Sequence, residues 1–233
     1  MSEFSKLKLG KRLTAIEASV ASDAYDHIWD CCCDHGLLGF QLLEKNKAKT
    51  VHFVDIVPQL LIDIEQKLKR FYMGKNKWQV HCLDVSKLPL NKHKDDKHLV
   101  IIAGVGGQLL ITILSTLLPL ASAMNIEFIL SPVHHNYQLR QFLFTHQCFL
   151  IDEFIVAENK RYYEVIHLKP VKNNTQINRE QSISLVGDKM WDFKSSEHHS
   201  YLQQTIQHYQ RIAKNPNIDV SEIINAYQRL ITL

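Results

Sequence analysis

Residues 30–36 read Asp-Cys-Cys-Cys-Asp-His-Gly, directly after the apolar pair Ile28-Trp29. Two chemistries can be built from such a run. A glycine-bearing turn at a strand's end lets backbone N–H groups and a helix N-terminus approach a ligand closely, which is how nucleotide-type α/β folds hold a cofactor. Asp30 and Gly36 keep the outer positions of the usual acidic-x-Gly-x-Gly-x-Gly pattern, while Cys32 and Asp34 stand where the first two glycines belong. The Cβ of Cys32 makes positive φ costly there. The alternative is a metal cluster of Cys31, Cys32, Cys33, Asp34 and His35. Structural zinc sites space their ligands by two to four residues and need a second cluster. The run contains no CxxC, so no metal is expected.

Further positions repeat the theme. Asp55 closes Phe53-Val54-Asp55, some 20–25 residues beyond the turn, where a carboxylate can accept hydrogen bonds from a ribose diol. Asp84 closes Cys82-Leu83-Asp84 and could reach an adenine amino group, although Asp is also common in ordinary turns. Ile102-Ala103-Gly104-Val105-Gly106-Gly107 either lets a ligand lie against the backbone or simply makes a tight turn. Ser131-Pro132-Val133-His134-His135 could shape a substrate pocket. Lys6, Lys8, Lys11 and Arg12 form a basic segment that is either a solvated face or a set of phosphate contacts.

These positions need a scaffold that gathers strand ends. Apolar runs at 27–31, 51–55, 79–83, 99–103 and 127–130 alternate with amphipathic stretches. Leu60, Leu61, Ile64, Leu68 and Phe71 share one helical face. Leu109, Leu110, Ile113, Leu114, Leu117 and Leu118 share another, and 136–146 offers Leu139, Phe142 and Leu143. Such alternation predicts a parallel sheet covered on both faces. Runs at 148–156 and 162–168, joined by a short polar link, read as a terminal hairpin. Five parallel strands and a hairpin make the α/β seven-stranded sheet of a class I (Rossmann-like) methyltransferase. A nicotinamide-dependent enzyme would end on another parallel unit. Residues 172–180 read as a linker. Leu202, Ile206, Tyr209 and Ile212, then Val220, Ile223, Ile224, Tyr227, Leu230 and Ile231, predict two helices broken at Asn215-Pro216-Asn217. The second is capped by Asp219 or Ser221. The expected division is a domain at 1–171 and a small α-helical hairpin domain at 172–233.

Composition adds bounds. The chain has 233 residues, 45% hydrophobic and 22% charged, with net charge +3. That is ordinary for a globular protein, and it allows an anionic partner without requiring one. No apolar run approaches the ~20 residues of a membrane span. Met1–Gly10 lacks the apolar core of a secretory signal. The expectation is a cytoplasmic protein with reduced thiols, monomeric or weakly dimeric.

Taken together, the residues resemble the TrmK family, bacterial tRNA (adenine(22)-N1)-methyltransferases that use S-adenosylmethionine. The resemblance runs over nearly the whole chain. It includes Lys11-Arg12-Leu13, Asp30 with Asp34-His35, Ile102–Gly107, Ser131-Pro132 followed by Leu139-Arg140, Ile151-Asp152-Glu153, Tyr163-Glu164-Val165 and Leu185-Val186-Gly187. The Asp-His pair and the Ala-Gly-hydrophobe-Gly-Gly signature are its specific parts. It implies a cofactor site drawn from successive strand ends. These contribute Asp30, Cys32, Asp34 and Gly36, then Asp55 and Ile56, then Asp84 and Val85, then Ala103, Gly104 and Val105. It implies Asp34 and His35 at the methyl-transfer centre. It also implies tRNA contacts from Lys11, Arg12, Ser131, Pro132, His134 and Arg140. Two positions depart from the family pattern: Cys32 replaces a glycine, and Val133 replaces the Asn of Gln-Pro-Asn. They motivate a second reading, a non-catalytic or re-targeted methyltransferase fold that binds RNA or another partner.

Overall fold

The five apolar runs become β1 (Tyr25–Cys31), β2 (Ala48–Asp55), β3 (Trp78–Cys82), β4 (Lys97–Ala103) and β5 (Asn125–Ser131). The computed structural model, which describes residues 9–72, 77–171 and 181–232, pairs them in parallel. Leu99, Val100, Ile101 and Ile102 are all fully buried, as a strand covered on both faces requires. β6 (Phe149–Glu158) and β7 (Arg161–Lys169) form the antiparallel hairpin. Asn159 and Lys160 both take positive φ, which suits a two-residue hairpin turn. The sheet order is β3-β2-β1-β4-β5-β7-β6, the seven-stranded arrangement expected.

Alternation along the strands divides the core. Ile28, Val51, Phe53, Leu99 and Ile101 pack under α1 (Lys11–Ser19), α2 (Leu37–Glu44) and α3 (Pro58–Phe71). Trp29, Val54, Val100 and Ile102 pack under α4 (Gly107–Ala121) and α5 (Asn136–Thr145). On this second face the connection from β3 to β4 has no α-helix. It uses two 3₁₀ turns, Val85–Lys87 and Leu90–His93, and buries Val85, Leu88 and Leu90 beside Trp29.

Histidines occupy the space beneath that connection. His27 Nδ1 lies 2.9 Å from His52 Nε2, and His52 Nδ1 lies 2.9 Å from His81 Nε2. Trp29 Nε1 donates to His98 Nδ1 at 3.1 Å, which leaves His98 Nε2–H to donate to the His93 carbonyl at 2.7 Å. Burial, then the neighbouring imidazoles, pushes His52 down to about 2, so it is neutral.

The tail folds as α6 (Ser196–Ile212) and α7 (Ser221–Arg229). Ser195 Oγ accepts from His198 N to cap α6, and Asp219 Oδ1 accepts from Ser221 N ahead of α7. Their apolar stripes, with Leu202, Ile206, Tyr209 and Tyr227, close over Tyr137 of α5. The linker expected at 172–180 lies outside the described residues. Just beyond it Ser182 bridges to Phe149, and Ile183 is buried in the sheet core. No described helix is long and apolar enough to cross a membrane.

Candidate active site

The turn after β1 is stitched to β2 and α2. Cys33 N donates to the Val54 carbonyl at 3.1 Å, Asp34 N to Asp55 Oδ2 at 3.1 Å, and Gly39 N to Asp30 Oδ2 at 2.8 Å. The backbone passes through the left-handed region three times, at Cys32 (φ 55°), Asp34 (φ 49°) and Gly36 (φ 70°). For the two non-glycine residues this costs about 1–3 kcal/mol each, and the hydrogen bonds to β2 hold them there. Cys32 therefore takes the glycine conformation despite its Cβ. Burial raises all three thiols, Cys32 to about 11, so they stay protonated and act as packing groups.

A cavity of about 340 Å³ opens against this turn. Asp30, Cys32, Asp34, His35, Ala103 and Gly104 line it, together with Arg12 from the first turn of α1. Nε and Nη1 of Arg12 are buried with no hydrogen-bond partner among the described residues. The guanidinium lies 4.6 Å from the centroid of the Tyr163 ring. Gly104 has φ 93°, and a Cβ there would stand 3.4 Å from Arg12 Nη2, so this glycine serves both the turn and the cavity. Burial raises Asp30 to about 7, against the lowering effect of the Gly39 N–H. Asp34 and His35 are exposed at the mouth, 3.7 Å apart. An orphaned cation and two carboxylates around one hole fit a zwitterionic ligand such as an α-amino acid group.

The neighbouring strand ends carry the other expected positions. Asp55 accepts from Asp34 N and from Val57 N, so its first task is to brace the turn, with one lone pair left on each oxygen. Asp84 accepts from Ser86 N at 2.8 Å and caps the 3₁₀ turn, a bond that lowers its carboxyl below the usual range. Ile56 is 68% exposed, an open apolar surface beside Asp55. Val85 is instead buried in the core beneath the connection.

The loops after β4 and β5 close on each other. Gly104 N donates to the Ser131 carbonyl, Val133 N to the Val105 carbonyl and Gly107 N to the His134 carbonyl. A Cβ on Gly107 would fall 2.5 Å from the His135 carbonyl oxygen, so this glycine is required by packing rather than by a ligand. Gly107→Ala is expected to lower stability by about 1–3 kcal/mol through this overpacking, read as a lower urea midpoint. An unchanged midpoint would show that the two loops part easily.

Beyond these loops lies a second cavity of about 540 Å³, between the β5–α5 loop, the β6–β7 turn and α6. His134, Lys160, Arg161, Tyr162, Tyr163 and Arg211 are among its walls. Tyr163 faces this cavity and carries Arg12 of the first one, so the two holes share a partition. Of the residues expected to meet a substrate, His134 is here and Lys11 is exposed. Ser131 and Pro132 are buried, and the Ser131 hydroxyl has no partner among the described residues. Arg140 is excluded from substrate contact: it is fully buried between Glu153 and Glu164, at 2.7 and 2.6 Å. Lys6 and Lys8 lie outside the described residues. Tyr162 and Tyr163 are consecutive in β7, and Tyr201 and Tyr209 lie on the buried stripe of α6, so in sequence they read as strand and helix-core residues rather than as a cavity lining.

Residues 9–166 match the family model described as "Methyltransferase domain", which takes in the β1 turn, all five parallel strands and most of the hairpin. The chain belongs to the methyltransferase-domain family. A Mycoplasma pneumoniae protein named "Putative tRNA methyltransferase" is 24% identical over 230 residues, covering 95% of this chain and 99% of that one. The structure of Mycoplasma capricolum TrmK in complex with S-adenosylhomocysteine superposes with a TM-score of 0.71 at 21% identity, over 96% of this chain and 98% of that one. The Bacillus subtilis m1A22 tRNA methyltransferase TrmK gives 0.70 at 22%, over 97% and 96%. These likenesses extend the shared fold beyond the methyltransferase domain into the helical tail.

Proposed function

We propose that this chain is an S-adenosylmethionine-dependent tRNA methyltransferase acting at N1 of an adenine, of the position-22 type. The observation that carries the reading is the pair of adjoining cavities with Arg12 and Tyr163 between them. Arg12 would take the carboxylate of the cofactor's amino-acid end, and Asp30 its ammonium group. Asp55 and Ile56 would take the ribose and one face of the adenine, with Asp84 at the amino edge. When bound, S-adenosylmethionine supplies a methyl group on a positively charged sulfur. The relatives' names, which specify tRNA, favour the same substrate for this chain.

The second cavity suits an extruded base. N1 lies on the Watson–Crick edge, so the nucleotide must leave any pairing to react. Tyr162 and Tyr163 offer ring faces for stacking, and Lys160, Arg161 and Arg211 offer charge to the flanking phosphates. N1 carries its own lone pair, so no nucleophilic side chain is needed. Asp34, exposed and fixed by the Asp55 brace, stabilises positive charge arriving on the base and can accept the N6 proton, with His35 beside it to pass that proton to water. Most of the acceleration comes from alignment of the two cavities.

The test is incubation of unmodified tRNA with labelled cofactor, followed by nucleoside analysis. Label in 1-methyladenosine is expected; a protein that binds the cofactor yet labels no tRNA would defeat the proposal in favour of a non-catalytic RNA-binding role. Arg12→Met should separately weaken cofactor binding about 10- to 100-fold, since a hydrogen bond to a charged group contributes ~1.5–3 kcal/mol. Calorimetry reads this directly, and an unchanged affinity would remove Arg12 from the site.

A further inference from the structure

The imidazole row beneath the β3–β4 connection takes no part in the chemistry above. It ends at a group of three potential ligands near the amino-terminal ends of β1 and β4, the opposite edge of the sheet from the two cavities. His27 Nε2 is 3.1 Å from Asp96 Oδ2, and His93 Nδ1 is 3.6 Å from the same oxygen. One ligand atom from each of the three residues lies within 4.8 Å of the others.

We propose that His27, His93 and Asp96 form a binding site for a divalent transition-metal ion of the zinc class, which clamps the β3–β4 connection to β1. Bonds of ~2.0–2.1 Å at tetrahedral angles place ligand atoms about 3.3–3.4 Å apart, between the two spacings found. Two imidazoles and a carboxylate are a donor set that zinc accepts, with water in the fourth position. The His27 and His93 rings are 4.3 Å apart and inclined at 34°, so closing on an ion needs a small rotation of the half-exposed His93.

The groups behind the site support it. A ligating histidine ordinarily donates its other ring N–H to a fixed acceptor, which sets its tautomer. His27 Nδ1 meets His52 Nε2, and His52 Nδ1 in turn meets His81 Nε2. With a metal on His27 Nε2, His27 donates to His52 and His52 donates to His81. With a proton there instead, His27 Nε2–H donates to Asp96 and every bond in the row reverses. The ion and the proton therefore leave different signatures at His52. The His93 backbone is also held, because its carbonyl accepts from His98 Nε2. The 3₁₀ turn Leu90–His93 thus delivers His93 and Asp96 to the end of the row as a unit.

The experiment uses untagged full-length protein, stripped with chelator and titrated with Zn²⁺ by calorimetry and Co²⁺ by absorption. One equivalent is expected, with a Co²⁺ spectrum of nitrogen and oxygen ligands and no thiolate charge-transfer band. His93→Ala and Asp96→Asn, both at half-exposed positions, should each weaken binding at least tenfold while circular dichroism stays unchanged. Long-range ¹⁵N–¹H spectra should show the His52 proton move from Nε2 to Nδ1 as metal is added. No saturable binding, binding through thiolates, or affinity unaffected by both substitutions would each overturn the proposal, as would a His52 tautomer that ignores the metal.

Discussion

Arg140→Met is expected to destabilise the fold by about 3–5 kcal/mol at neutral pH, because it strands two buried carboxylates. Arg140 and both its partners, Glu153 and Glu164, have fully buried side chains. The guanidinium also donates to the Ser184 carbonyl at 3.1 Å and reaches Met190 Sδ. Glu153 accepts from Lys189 N, and Glu164 from Asn136 Nδ2 and Tyr201 OH. The cluster therefore joins α5, the β6–β7 hairpin, the segment after 180 and α6. Without the arginine, two fully buried carboxylates face each other with no cation between them. Urea unfolding at pH 8 reads the loss. Adding Glu153→Gln and Glu164→Gln to Arg140→Met removes the charges but keeps carbonyl acceptors, and should recover most of the loss. A single variant within 1 kcal/mol of the parent at pH 8 would contradict the account.

The same residue shows where sequence reading stops. The strands and the hairpin were legible because burial on both faces demands apolar runs such as Val100-Ile101-Ile102, and because Asn159-Lys160 separates two of them. The helix pair was legible from the spacing of Leu202, Ile206 and Tyr209, all of which are buried. α2 was not legible: Leu37, Leu38, Phe40, Leu42 and Leu43 surround a short helix with apolar side chains and leave no period to read. Arg140 carries no local mark of its partners, which lie 13 and 24 residues away, so the sequence offered it only as a tRNA contact implied by resemblance. Arg12 resembled a phosphate contact for the same reason. It enters the first cavity only because α1 starts at Lys11, whose backbone N–H donates to Glu158 of the hairpin. The histidine row was invisible because His27, His52, His81 and His98 sit on four separate strands, and only the parallel register makes them neighbours.

Asp30→Asn should raise stability at pH 8, and its effect should disappear in acid. Burial places the Asp30 carboxyl at about 7, against an ordinary value of 3.8. Because the folded-state value is the higher one, the folded protein holds the extra proton between about pH 4 and 7. Stability then falls as pH rises through that window and stays lowered above it. At ~1.36 kcal/mol per decade of protonation, the full penalty is about 4 kcal/mol. Asparagine keeps an oxygen for the Gly39 N–H and carries no charge, so the variant should gain as much as that above pH 7 and nothing near pH 4. If the variant and parent showed parallel stability profiles from pH 4 to 8, the buried carboxyl would carry no such penalty. The cavity gives the penalty a use. A ligand ammonium group placed against Asp30 favours the carboxylate, so binding of S-adenosylmethionine should expel a proton below pH 7 and tighten, toward tenfold per pH unit, as pH rises to about 7. Calorimetry in buffers of different ionisation enthalpy counts that proton. In the Asp30→Asn protein the proton release and the pH slope should both vanish together with part of the affinity, which a merely structural carboxyl would leave in place.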